Sequence, residues 1–250
     1  ITLNFFGGQC FLNPVQISFI DTWEVENYRR KISKGIGTKG LVENKIAIVT
    51  GAAQGFGAGI AEKLFSDGAN IIIADINEEI GNNFADALNN KRNKNKAFFI
   101  KTDVSDAASV ENLIIQTVYT FGGLDVFISN AGVLRAGGLD EMNPETFDFM
   151  TRVNYQGYFI CTKYASEILK IQSAHKEDYF SDIIQINSKS GLKGSNKNFA
   201  YAGGKFGGIG LTQSFALELV PYRIKVNSIC PGNFFEGPLW SDPKTGLFVQ

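Results

Sequence analysis

Three kinds of side chain able to move or steady a proton fall within eighteen residues, SKSGLKGSNKNFAYAGGK, at 188–205. Tyr201 and Lys205 are four apart, a spacing that puts both on one face of a helix. An ammonium held beside a phenol favours the phenolate and draws a pKa near 10 downward. Such a pair can act as acid and base; it can equally be an ordinary Tyr and Lys on a solvated helix. Ser188 supplies a hydroxyl upstream, and Lys189, Lys193 and Lys197 place cations in between. The one histidine, His175, lies in the polar stretch QSAHKEDYFSD. A histidine base, a His-containing triad or a His-rich metal site is therefore nearly excluded, and no metal is expected. Acid–base chemistry must use Tyr, Lys or carboxylates.

A second constellation lies at TGAAQGFGAG, residues 50–59. Gly51, Gly55 and Gly57 follow an apolar β-branched run and open a helical pattern. A strand-to-helix turn of this kind lets backbone N–H groups and a helix N-terminus meet a pyrophosphate. Close packing of helix on strand also accounts for glycines there. Asp75 ends the next apolar run, 24 residues after Gly51. A carboxylate at that place can accept from both hydroxyls of an adenosine ribose and repels a 2′-phosphate. No Arg or Lys in AAQGF or DIN attracts one, so NAD is favoured over NADP. The same Asp75 can instead cap the following helix.

The elements that must position these residues are regular from Lys45 onward. KIAIVT, NIIIAD, AFFIKTDV, DVFISNAG, DIIQINS and RIKVNSICPG read as six strands, with the β-branched KIAIVT and then NIIIAD as buried runs. Between them lie helical patterns at GIAEKLFSDG, EEIGNNFADALNN, DAASVENLIIQTVYTFGG with Asp106 as N-cap, about 144–171 with Pro144 in the first turn, and about 199–219. Strands alternating with helices predict an α/β fold, a doubly wound parallel sheet in three layers, Rossmann-like. Residues 43–250 form that domain. Residues 1–42 differ, with FFGGQCF, a short helical face at Trp23, Val25 and Tyr28, and a Gly/Lys-rich linker; they read as an extension or the tail of a preceding domain.

Composition narrows the partners. The chain has 250 residues, 44% apolar and 20% charged, and a net charge of −1, which gives no reason to expect nucleic acid or an anionic membrane. No run of 18 apolar residues suggests a membrane span. Cys10, Cys161 and Cys230 are odd in number and show no CxxC spacing, which points to a reducing, cytoplasmic setting.

TGxxxGxG at 50–57, Asp103–Val104, Asn130–Ala131–Gly132, Asn154 in NYQG, Ser188, YAGGK and Pro231–Gly232 occur in an order that resembles the short-chain dehydrogenase/reductase family, over roughly 43–240. The resemblance implies an NAD-dependent oxidoreductase that interconverts a secondary alcohol and a ketone. It implies that Tyr201 exchanges the proton of the substrate oxygen, and that Lys205, with the nicotinamide charge, depresses the Tyr201 pKa and holds the nicotinamide ribose. Ser188 would bond the reacting oxygen, and Asn154 would anchor a water leading from Lys205. Gly51, Gln54, Gly55, Phe56, Gly57, Asp75, Asp103, Val104, Asn130, Ala131, Gly132, Tyr201, Lys205, Pro231 and Gly232 would line the cofactor. A homo-oligomer, tetramer or dimer, is implied as well.

Within the family, the stretches around GGLDVFISNAGVLRAGG, INSKSGLKGSNKNFAYAGGKFGG and CPGNFFEGPLW are similar to the sorbitol-6-phosphate 2-dehydrogenase group. That implies a polyol or polyol phosphate substrate, with Ser188, Lys189, Lys193 and Arg135 around it and Lys197 nearby. A solvated loop of lysines is the alternative for these cations. An unphosphorylated secondary alcohol, or a catalytically silent dinucleotide-binding protein, are the alternatives for the whole. Only 18 residues follow Gly232, so the family's last strand and much of its lid are expected to be missing from this chain.

Overall fold

A computed structural model describes residues 42–91, 95–175 and 179–232. The expectations for residues 1–41, Trp23, Val25 and Tyr28 among them, and for the chain beyond Gly232 lie outside the described residues.

Six strands alternate with helices. They are β1 (Ile46–Thr50), α1 (Gly55–Ser66), β2 (Asn70–Asp75), α2 (Glu78–Asn89), β3 (Ala97–Lys101), α3 (Ala107–Phe121) and β4 (Val126–Ser129), followed by α4 (Pro144–Thr151), α5 (Gly157–Ala174), β5 (Ser181–Ile186), α6 (Phe199–Leu219) and β6 (Ile224–Ile229). All pairings are parallel, in the order β3-β2-β1-β4-β5-β6. The predicted doubly wound sheet is what forms. Parallel strands need crossovers, the helices supply them, and both faces are covered.

The pleat divides the apolar residues between two cores. Ile48, Ile72, Phe127 and Ile183 point one way, packing with Val110, Leu113, Tyr158, Cys161, Leu169 and Leu219 of α3, α5 and α6. Ala47, Val49, Ile71, Ile73 and Ile128 point the other way, with Phe65 of α1 and Leu88 of α2. Each fully buried side chain of this size contributes on the order of 2 kcal/mol of transfer free energy. The strands therefore read as unbroken apolar runs, without the alternation of a half-exposed sheet.

Local signals set the element ends. Asp106 caps α3 as expected, its carboxylate accepting from the Ala108 N–H at 3.0 Å, and Gly122 closes the helix at φ 87°. Asn143 caps α4 through the Thr146 N–H at 2.8 Å, with Pro144 in the first turn.

Two boundaries differ from the expectation. AFFIKTDV leaves the sheet after Lys101, because the Asp103 carboxylate turns back to accept from both the N–H and the hydroxyl of Ser105. The long helix expected at about 144–171 is interrupted by a π-helical turn at Arg152–Gln156. There Asn154 turns its amide inward to the main chain of Val133, and Gly157 packs where a Cβ would lie 3.1 Å from Val104 Cγ2. Such turns insert one residue into a helix and re-aim a side chain.

Candidate active site

The carboxyl ends of β1, β2, β4 and β5 lie along one edge of the sheet, and the chain reverses its strand order between β1 and β4. Folds of this kind have their crevice at that switch point. The glycine turn occupies it. Gly51 has φ +62°, and a Cβ there would come within 2.8 Å of the Ala131 Cα. At Gly57 a Cβ would be driven into the Gly51 carbonyl and to 2.6 Å from Asn130 Nδ2. A side chain is sterically barred at both positions, and α1 thereby begins directly against the turn.

Asn130 braces this arrangement. Its Nδ2 donates to the carbonyls of Thr50 (2.9 Å) and Gly51 (3.1 Å), and the Thr50 hydroxyl accepts from the N–H groups of Asn130 and Ala131 at 3.0 and 3.1 Å. Gln54, the residue before α1, is exposed and makes no side-chain cap, and the first turn of α1 carries no acid. A helix start with no competing carboxylate suits a pyrophosphate. The phenyl ring of Phe56 is partly exposed beside them.

Asp75 ends β2 on the same edge. Its carboxylate accepts from the Ala53 N–H (3.0 Å) and from the Asn77 N–H (3.0 Å), so it ties the glycine turn to the β2–α2 loop. It does not cap α2. Asn77 does, accepting from the Ile80 N–H. Asp103 is exposed at the end of the next strand, whereas the Val104 side chain is buried in the core.

Ser188, Tyr201, Lys205 and Asn154 come together across the neighbouring ends of β5, α6 and the π-helical turn. The Ser188 side chain lies near enough to the Tyr201 phenol to favour its phenolate. Lys205 Nζ lies 5.5 Å from the centre of the Tyr201 ring. At Gly132, the space a Cβ would fill is bounded by Asn154 Oδ1 at 3.0 Å and Lys205 Nζ at 3.8 Å. Asn154 is held twice by Val133, accepting from its N–H at 2.9 Å and donating to its carbonyl at 2.8 Å. The helix irregularity and the placement of Asn154 are thus one feature. Lys189 N–H donates to the Pro231 carbonyl at 2.9 Å, which brings Pro231 and Gly232 to the same edge.

In the protein by itself, burial governs the electrostatics of the Tyr–Lys pair. In this chain Tyr201 lies above its ordinary value of 10, because burial of the phenol outweighs the Ser188 hydrogen bond that favours the phenolate. Lys205 is only 5% exposed, and burial pushes its pKa down to about 8, against a smaller upward pull from Cys230. The cation meant to lower the phenol is itself destabilised by the same dry pocket.

Burial of Lys205 also has a stability consequence. Its native pKa of about 8 lies below the ordinary 10.5. The native state therefore sheds this proton before the unfolded chain does, and stability rises with pH between those values. Below them the charged, buried form costs up to about 3 kcal/mol. Lys205→Met should be more stable than the parent at pH 7, and that advantage should shrink as pH approaches 10. Urea unfolding at pH 7 and 9.5 measures it; a difference independent of pH would contradict the assignment.

The cations expected around the substrate are not equivalent. Lys189 and Lys193 are exposed on the short turn after β5, and neither ammonium pairs with another described residue. Arg135 is exposed and lies 5.1 Å over the Phe149 ring. Lys197 is engaged: it bridges to Glu141 at 2.9 Å, while its carbonyl accepts from the Gly137 N–H at 2.8 Å. This ties the segment before α6 to the β4–α4 loop. Among the described residues no cluster of three potential metal ligands occurs, and no helix is long and apolar enough to cross a membrane.

Thr50, Gln185 and Asn187 were not singled out in the sequence. Gln185 and Asn187 carried a signal: two amides at alternate positions in a strand of a parallel sheet. Thr50 offered none, since a Thr at a strand end is ordinary.

The short chain dehydrogenase family profile matches residues 45–239. The chain is 34% identical over 197 residues to sorbitol-6-phosphate 2-dehydrogenase of Escherichia coli K12, covering 79% of this chain and 74% of that one. It is 35% identical over 210 residues to trans-4-hydroxycyclohexanecarboxylate dehydrogenase of Sinomonas cyclohexanicum, covering 82% and 78%. Among solved structures, sorbitol-6-phosphate 2-dehydrogenase from Erwinia amylovora superposes with a TM-score of 0.73 at 39% identity, over 77% of this chain and 73% of that one. A short chain dehydrogenase from Mycobacterium smegmatis gives 0.73 at 27% identity, over 79% and 80%.

Proposed function

The chain belongs to the short-chain dehydrogenase family, and from that premise we propose that it interconverts a secondary alcohol and a ketone with NAD, acting on a polyol phosphate such as sorbitol 6-phosphate. The observation that carries the reading is the convergence of Ser188, Tyr201, Lys205 and Asn154 beside the glycine turn, at the switch point of the sheet. An enzyme of the short-chain alcohol dehydrogenase/ketoreductase type is what the family and its dehydrogenase-named relatives support.

The residues present fit a nicotinamide dinucleotide: glycines that leave a cradle a Cβ would fill, an acid-free helix start, and a carboxylate at the end of β2. When bound, that group supplies the hydride acceptor. The protein's own part is proton transfer and orientation. Tyr201 takes the hydroxyl proton in oxidation and returns it in reduction. Ser188 donates to the reacting oxygen and steadies the charge that builds there. Lys205 shares the proton load of Tyr201, and Asn154 fixes the loop of Gly132 and Val133 against which Lys205 rests. Asp75 is the group that would take the ribose hydroxyls and favour NAD over NADP.

Lys189 and Lys193 support the phosphate. They are cations without a described partner, next to the Ser188 turn, where a phosphorylated end of a substrate can find charge-assisted bonds. The engaged state of Lys197 and the similarity to a dehydrogenase of a hydroxycyclohexane carboxylate favour a second reading, an unphosphorylated secondary alcohol.

Following NADH absorbance with paired polyols and polyol phosphates separates the two. Lys193→Glu is expected to raise KM for sorbitol 6-phosphate about tenfold or more and leave KM for sorbitol within about twofold. Equal, unchanged constants for both substrates would remove the phosphate from the proposal and leave the alcohol.

A further inference from the structure

One buried side chain outside the four candidate catalytic positions touches the framework of two of them. Asn187 follows β5, directly precedes Ser188 and is 4% exposed. Its Oδ1 accepts from the Ser188 N–H at 2.8 Å. Its Nδ2 donates to the main-chain carbonyl of Lys205 at 2.9 Å and to Gln185 Oε1 at 2.8 Å. This orientation of the amide alone gives each atom a partner of the opposite kind, an N–H facing Oδ1 and two oxygens facing Nδ2.

The contacts continue inward. Gln185 Oε1 also accepts from the hydroxyls of Thr212 (3.3 Å) and Ser228 (3.2 Å), and Thr212 meets the Tyr158 hydroxyl at 3.1 Å. Room for the amides exists because α6 carries glycine at 208, where a Cβ would stand 3.1 Å from Asn187 Nδ2 and closer still to Gln185. The result is a buried polar chain from β6 through β5 to α6 and α5. Buried amides cost several kcal/mol of desolvation unless satisfied, and two apolar residues would fill the space without that cost. Packing alone does not account for them.

We propose that Asn187 is a positioning residue for the Ser188/Tyr201/Lys205 set. It locks the strand end that carries Ser188 to the turn of α6 that carries Lys205, so that hydroxyl and ammonium stand at a fixed separation on either side of the phenol. Lys205 is then held at both ends, its carbonyl by Asn187 and its Nζ by the Ile186 carbonyl at 3.1 Å. Asn187 touches neither the phenol nor the ammonium, and acts through the two elements it joins.

This inference rests on the catalytic reading above, and its test has one arm that does not. The full chain is compared with Asn187→Ser, which keeps a small polar group, and with Thr212→Val, which cuts the same network at its far end. In the first arm, NAD-linked oxidation of sorbitol 6-phosphate should fall about thirtyfold in kcat for Asn187→Ser with KM changed less than about threefold. In the second, the Lys205 titration is followed without substrate by the NMR signal of its 13C-labelled ε-carbon. It should move by about half a unit or more in Asn187→Ser. Thr212→Val should lower the melting temperature and leave both readouts near the parent. A Lys205 titration unmoved in Asn187→Ser, or moved as far in Thr212→Val, would overturn the proposal. Absence of turnover in the parent with every alcohol would remove the catalytic reading, and the NMR arm would still decide whether Asn187 positions Lys205.

Discussion

Tyr201→Phe should reduce kcat for alcohol oxidation by about a thousandfold or more and leave NADH binding within about twofold. The variant keeps the ring, its place on α6 and the 5.5 Å contact with Lys205, and removes only the oxygen that Ser188 touches. Neither the one histidine nor Ser188 can stand in. His175 is at the opposite end of the sheet, after α5, and the nearby hydroxyl of Ser188 is far less acidic than a phenol. The site without the phenol therefore retains orientation and loses its acid–base group, a loss that shows in kcat rather than in cofactor affinity. Steady-state NADH absorbance and quenching of NADH fluorescence make the two measurements. Full turnover by the variant would sink the assignment of Tyr201.

Asp75→Asn should shift the ratio of kcat/KM for NADP over NAD upward by about a hundredfold. A carboxylate within a few ångströms of a doubly charged 2′-phosphate is repulsive by about 3 kcal/mol at the effective dielectric of a partly exposed site. Asparagine keeps the shape and one acceptor for the Ala53 or Asn77 N–H, so the turn remains tied to β2 while the charge is gone. Kinetics with each dinucleotide, at fixed alcohol and fixed ionic strength, reads the ratio. If it does not move, Asp75 is only a brace for the glycine turn and the proposed preference for NAD loses its basis.

The fold was legible because its signal is thermodynamic and redundant. NIIIAD and KIAIVT can be satisfied only between two covered faces, and capping residues such as Asp106 and Gly122 mark the ends where the chain must turn. The order of Gly51, Asp75, Asn154, Ser188, Tyr201 and Lys205 was legible for a different reason, as a pattern of types at the ends of those elements. What escaped depends on three-dimensional partners. The interruption at Arg152–Gln156 has no local signature, since it comes from the pull of Val133 on Asn154. The weight of burial at Tyr201 and Lys205 escaped because spacing shows that a lysine is near and says nothing of how dry the pocket is. Lys197 reads as one more cation near the substrate, and only its meeting with Glu141, 56 residues away, shows that it is engaged.

The bonds that hold the strand end carrying Ser188 bear on the order in which a nascent chain can become useful. Asn187 donates its N–H to Ile229, and Lys189 to Pro231, so the serine is held by β6, the last strand of the described sheet. The glycine turn closes much earlier, on Asn130, and its framework spans β1, β2 and β4. During synthesis the glycine turn has its supports well before the strand end carrying Ser188 has its own. Long-range parallel pairing is slow in any case. The glycine turn is thus expected to take shape ahead of the proton-transfer site, which waits for β6 to pair with β5.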